Sequence, residues 1–266
     1  MRLSLVDLSP VPGGDRHKAI LNTLDMAQQA EKWGYNRIWL AEHHGTGNLA
    51  GRSPEVLIPL VAANTNTIKV GSGSVLLNHY SPFKVAEVFN TLEDMFPGRI
   101  DMGIGRATTG PVTDVALQRN RSYRQTTDDS AEQLAELEAW MNNSFDKSHP
   151  FSQVKMHNNG SLPQFWLLGS SPWSAGAAAQ LGLRYSFAGF INPGQAYHIT
   201  QSYRNNFKPS EMATGISRPE LILSLSIYCA ETDEAAARLA APIQVMMKRM
   251  MSGDIQSPIV SEDEAI

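Results

Sequence analysis

Glu42, His43 and His44 stand in a row directly after the apolar run Ile38-Trp39-Leu40-Ala41. A short apolar run of that kind reads as a buried strand. A carboxylate and two imidazoles therefore gather where a strand leaves a core. Buried polar groups without partners cost free energy, and histidine is the side chain whose ordinary pKa lies nearest neutrality. Proton transfer or ligand binding is the chemistry such a cluster offers. Polar groups recur where other apolar runs end: Ser9-Pro10, Asn78-His79-Tyr80, Gly105-Arg106 and Gly169-Ser170-Ser171. The recurrence says more than any one motif, although strand ends are polar in general.

Gly169-Ser170-Ser171-Pro172 combines small residues, hydroxyls and a proline that can open a helix. Free amide groups and the helix dipole make such a turn a phosphate site, and an ordinary serine cap is the plainer reading. Arg106 adds a guanidinium suited to phosphate oxygens, so Arg106 and Ser170 are expected to converge on one phosphate. Gly71-Ser72-Gly73-Ser74 interrupts an apolar strand with glycines, which mark the close approach of a ligand or of another backbone. A flat aromatic cofactor and helix packing both explain that clearance. Glu42, His43, His44 and His79 would be the ligands of a metal-dependent hydrolase. Adjacent residues on a strand point to opposite sides and His-x-His spacing is absent, so no metal ligand is assigned. Cys229, the single cysteine, lies in the run Leu223–Ala230 and reads as a packed core thiol.

Strands and helices must alternate to position these groups. Strands are predicted at 2–8, 36–41, 68–77, 99–104, 164–168, 184–190 and 220–229. Helices are predicted at 16–33, from Ser53-Pro54, from Pro82 to before Pro97, at 128–142, from Ser171-Pro172 to Gly182, at 193–205 and from Thr232 to 251. A polar stretch fills 107–127. Alternation of this kind implies a parallel sheet. Seven units favour a (β/α)8 TIM-type barrel over an open doubly wound sheet, as does the lack of Gly-x-Gly-x-x-Gly after the first strand. The count is one strand and helix short. Strands one and seven should then lack partners on their facing sides unless a partner chain or a rearrangement covers them, and lowered stability or dimerisation through that region is expected. The whole chain, 1–266, reads as a single barrel domain.

Of the 266 residues, 42% are hydrophobic and 18% charged, enough apolar material for a large core. A net charge of -4 without basic tracts argues against nucleic acid as partner. No apolar run approaches the roughly 20 residues that span a bilayer, and no signal-peptide pattern opens the chain. A cytoplasmic protein without membrane association is the expectation.

Four stretches in order resemble the luciferase-like monooxygenases, a flavin-dependent (β/α)8 family that includes bacterial luciferase: 38–44, 81–87, 97–106 and 166–171. The resemblance implies a monooxygenase that uses reduced FMN, supplied by a separate flavin reductase, and O2. It implies oxidation of a small organic substrate through a C4a-peroxyflavin. His43 matches the histidine that assists this chemistry, and Glu42 is taken with it as catalytic. Arg106 and Ser170 match flavin-phosphate positions, with Gly169 and Ser171 beside them. Gly73 and Ser74 fall where the family often has a non-proline cis peptide beside the flavin ring. His43 is expected to face the barrel mouth and His44 to point away, by strand alternation. Luciferase has cysteine and glutamate where this chain has Gly105 and Gly169, which argues for a general family member rather than a light emitter. Some relatives use the deazaflavin F420 for hydride transfer, and a related chain reduced to passive flavin binding is a third reading. The expected assembly is a homodimer.

Overall fold

The computed structural model describes residues 2–107, 109–118, 128–254 and 256–266. Among these residues eight strands form one parallel sheet: β1 (Ser4–Asp7), β2 (Arg37–Leu40), β3 (Lys69–Ser72), β4 (Val75–Leu76), β5 (Ile100–Gly105), β6 (Gln164–Gly169), β7 (Arg184–Ala188) and β8 (Leu221–Ser224). Their order is β1-β2-β3-β5-β6-β7-β8, and β4 also pairs with β5. Because β3 and β4 share one strand position, seven positions curl into a nearly closed barrel, the fold class that the alternating pattern predicts. Among the described residues β1 and β8 are not paired with each other.

The helices are α1 (Arg16–Lys32), α2 (Pro54–Ala63), α3 (Pro82–Met95), α4 (Pro111–Leu117), α5 (Ser130–Asn142), α6 (Pro172–Leu181), α7 (Ala196–Asn205), α8 (Asp233–Met251) and α9 (Glu262–Ala265). Their ends follow local chemistry. The Asp15 carboxylate accepts from Lys18 N at the start of α1, and the Thr232 hydroxyl from Ala235 N at the start of α8. Gly182 ends α6 at φ +66, a left-handed geometry that glycine adopts without steric cost. Pro54, Pro82 and Pro172 each open a helix, where the missing N–H is no loss. The stretch 107–127 holds one element that polarity concealed, α4. Thr108 and residues 119–127 of that stretch lie outside the described residues.

Two strand predictions need correction. The run 68–77 is not one strand: it divides into β3 and β4, with the cis peptide Gly73-Ser74 between them. The run 220–229 is a strand only over Leu221–Ser224. Beyond β8 no neighbouring strand among the described residues supplies ladder bonds or cover, and Leu225 and Ile227 are exposed. Cys229 is exposed as well, contrary to the packed thiol expected from its apolar neighbours.

The barrel interior is closed by a charged plug as well as by aliphatic side chains. Arg37 Nη1 on β2 donates to Asp101 Oδ2 on β5 at 2.9 Å, and Trp39 Nε1 donates to the same oxygen at 2.9 Å. The Arg37 guanidinium also lies 4.6 Å from the Trp166 ring centroid. Burial pushes the Asp101 carboxyl above its ordinary pKa, and Arg37 opposes that rise. Gly71 allows β3 to approach β5 here: a Cβ at Gly71 would lie 2.2 Å from the Asp101 carbonyl oxygen.

Candidate active site

A cavity of about 820 Å³ opens at the carboxyl ends of the strands, the end at which barrels of this type carry their chemistry. Trp39, Leu76, Ile104, Leu167 and Leu168 give it apolar walls. Glu42, His43, Gly73, Ser74, Arg106, Gly169, Ser170 and Ser171 all line it, so the structure brings these candidates to one place, whereas Ser9, Gly71, His79 and Tyr80 are not in its lining.

Glu42 is the anchor of one wall. Its Oε2 accepts from Leu76 N at 2.9 Å, and its Oε1 accepts from Tyr80 Oη at 2.9 Å and lies 2.5 Å from His44 Nε2. Its side chain has no solvent exposure. Three partners thus satisfy a carboxylate that would otherwise be costly to bury. Burial and the neighbouring Glu42 push the Tyr80 phenol upward, so Tyr80 remains a donor.

His44 does not point away from the cavity. Both His43 and His44 line it. Strand β2 ends at Leu40, and His43 N donates to Gly51 O at 2.9 Å, outside any ladder. The alternation that holds within a strand stops before these residues. Burial first, and then His44, lower the His43 pKa to about 4. His43 is therefore neutral near pH 7, and its buried Nδ1 has no hydrogen-bond partner among the described residues. A third histidine, His79, lies with its ring 6.2 Å from that of His44 and its Nε2 3.7 Å from Asp114 Oδ1. Burial lowers its pKa and Asp114 counteracts this.

Across the cavity, β5 and β6 are neighbours in register, with Ile104 opposite Leu167. Arg106 and Ser170 accordingly emerge side by side. The Arg106 guanidinium lies 4.5 Å from the Trp173 ring centroid, pairs with Asp128 and approaches Ser130 Oγ at 3.3 Å. Ser171 precedes α6 without a side-chain cap to its amides, and Pro172 occupies the first turn. Among the described residues that helix end has no side-chain cap, and it stands beside a cation.

The glycines serve the protein more than a ligand. A Cβ at Gly73 would lie 2.8 Å from Trp39 Cβ, one at Gly105 2.3 Å from Ser74 Oγ, and one at Gly169 2.4 Å from Ser174 Oγ. Gly105 and Gly169, the two departures from luciferase, thus leave space that serines occupy here.

Sequence reasoning placed Asn78-His79-Tyr80 at a strand end without giving Tyr80 its partner. It missed Asp114, Asp128, Gln133, Trp173, Met250 and Gly253, of which Gln133, Trp173, Met250 and Gly253 line the cavity. These residues come from helices and the chain next to their ends. Gln256 Nε2 donates to Gly45 O, tying the chain after α8 to the loop after β2. Among the described residues no group of three or more His, Cys, Asp or Glu side chains could hold a metal ion, and no helix is long and apolar enough to cross a membrane.

Comparison with known proteins agrees with this geometry. A luciferase-like monooxygenase of Escherichia coli (strain K12) is 39% identical over 267 residues, covering 98% of this chain and 77% of that protein. N-acetyl-S-alkylcysteine monooxygenase of Bacillus subtilis (strain 168) is 36% identical over 241 residues, covering 90% of this chain and 70% of the relative. The crystal structure of apo-MsnO8 superposes with a TM-score of 0.87 at 39% identity, covering 99% of this chain and 76% of the other. The FMN complex of the oxygenating constituent of 3,6-diketocamphane monooxygenase from Pseudomonas putida shares the fold, with a TM-score of 0.67 at 23% identity; it covers 94% of this chain and 74% of the other. The family model for luciferase-like monooxygenase matches residues 1–260. With its strand-end histidines and near-closed barrel, the chain belongs to the luciferase-like monooxygenase family.

Proposed function

We propose that the chain is a monooxygenase that binds reduced FMN and, with O2, oxidises a small organic substrate in this cavity. The observation that carries the reading is the placement of two unlike groups in one apolar cavity: the unpartnered nitrogen of neutral His43, and Arg106 beside the open amide end of α6. FMN has the matching chemistry, a flat ring system with a polar edge and a phosphate on a tether. The FMN complex of the fold relative above supports FMN, and F420-dependent enzymes that share the fold keep F420 as the alternative. A separate reductase supplies the reduced flavin.

Bound reduced flavin supplies the electrons with which O2 is activated. Arg106, with the amides at Ser170 and Ser171, holds the phosphate by charge-assisted hydrogen bonds. Gly73 and Ser74 border the ring. His43, neutral because it is buried, offers Nδ1 as a hydrogen-bond partner to the reacting edge. Glu42 keeps His44 oriented at the same wall. The apolar walls exclude water, which strengthens each of these contacts.

The test is a flavin titration of the parent and Arg106→Ala with FMN and with riboflavin. Loss of a charge-assisted hydrogen bond should weaken FMN by about 1.5–3 kcal/mol and leave riboflavin nearly unchanged. An equal loss for both would move the phosphate elsewhere. Oxygen consumption after anaerobic mixing with reduced FMN, with and without small thioether or ketone substrates, tests the oxygenase activity.

A further inference from the structure

Arg106 is already occupied. Its guanidinium lies over Trp173, the second residue of α6, with the ring centroid 4.5 Å away. That stack brings a cation to the uncapped end of a helix whose dipole also favours an anion. Here Arg106 Nη1 is paired with Asp128 Oδ2. The other carboxylate oxygen of Asp128 accepts from Ser130 N at 3.1 Å, at the first residue of α5. Asp128 therefore has an anchor on α5 that does not depend on Arg106.

We propose that Asp128 is an internal competitor for the phosphate at Arg106, and that it sets how strongly the site prefers a phosphorylated flavin over an uncharged one. The inference rests on the phosphate placement given above. An incoming phosphate takes the guanidinium from Asp128, which stays on the α5 end through Ser130. Ser130 first, and then Arg106, lower the Asp128 pKa to about 2. The competitor is thus an anion throughout the working range, and it repels a phosphate even after the exchange. Asp128→Asn keeps a side-chain oxygen that can accept from Ser130 N and removes the charge. The pair is exposed, so the effect is moderate.

The experiment is a fluorescence titration of FMN and riboflavin on the parent, Asp128→Asn, Asp128→Glu, Arg106→Ala and the Arg106→Ala/Asp128→Asn double variant. Asp128→Asn should tighten FMN about two- to fivefold, the range that exposed charge pairs supply. Riboflavin should be unchanged, and Asp128→Glu should follow the parent. In the Arg106→Ala background the gain for FMN should shrink, because the competition needs the arginine. Arg106→Ala selective for FMN together with Asp128→Asn that leaves FMN unchanged or weaker would overturn the competitor and spare the phosphate placement. Equal tightening of both flavins would make Asp128 a general packing residue and overturn it too. Arg106→Ala without selectivity would remove the phosphate placement and the competitor together.

Discussion

Glu42 Oε1 lies 2.5 Å from His44 Nε2, so two residues separated by one position in the chain form a hydrogen-bonded pair at the barrel mouth. The bond puts the His44 ring beside the cavity and makes Glu42 a wall anchor with donors from β4 and from Tyr80. His43 stands between them in sequence and apart from them in chemistry, because its Nδ1 has no partner among the described residues.

Glu42→Gln should therefore disturb orientation more than cofactor binding. The amide cannot accept from Leu76 N, Tyr80 and His44 as the carboxylate does. Turnover should fall by about 10²–10⁴-fold, the range of a misplaced acid–base group, with FMN affinity nearly intact. Steady-state kinetics beside a flavin titration checks this. Unchanged turnover would reduce Glu42 to a structural role.

His43→Ala should also lower turnover while sparing flavin affinity, and it carries a second, cofactor-free signature. Its folded pKa of about 4 lies below the ordinary histidine value because burial disfavours the charged form. The unfolded chain thus binds a proton first as pH falls. The associated stability is fully present above about pH 6.5 and is lost as pH drops through 4, amounting to up to about 3 kcal/mol. Urea midpoints measured from pH 7.5 to 4 should fall less steeply in His43→Gln than in the parent.

Arg37→Ala should leave Asp101 buried without its cation. Breaking a buried pair in this way costs about 3–5 kcal/mol. Replacing both partners by apolar residues, Arg37→Met with Asp101→Leu, should cost less than Arg37→Ala alone, although Trp39 Nε1 then loses its acceptor. Urea denaturation of the two variants decides the order.

Two glycines separate packing from helix propensity. Gly71→Ala would place a methyl group 2.2 Å from the Asp101 carbonyl oxygen, against backbone that cannot rotate away. A loss of about 1–3 kcal/mol or more follows. Gly176 lies inside α6 with nothing within 4 Å of an added Cβ. Gly176→Ala should stabilise the protein by about 0.8–1 kcal/mol. Thermal midpoints moving in opposite directions would bear this out.

Much of the fold was legible in the chain because barrel units carry local signals. Apolar runs mark the strands, Ser-Pro and Asp or Thr caps open the helices, and Gly34 and Gly182 close them. The strand-end positions of Glu42, His43, Arg106 and Ser170 follow from that punctuation, and β5 beside β6 makes Arg106 and Ser170 neighbours. Tertiary structure alone decided what depends on partners distant in sequence. Ile38 and Cys229 both lie in apolar runs, yet only Ile38 has strands on both sides and is buried. His44 turned inward because the ladder ends at Leu40, and no periodic rule extends past the last ladder bond. Asp128 reached Arg106 across 22 positions through the placement of α5, and the Trp173 stack depends on where α6 docks. Local patterns determine which element a residue joins, whereas its charge partner and its burial are set by how the elements close around one another.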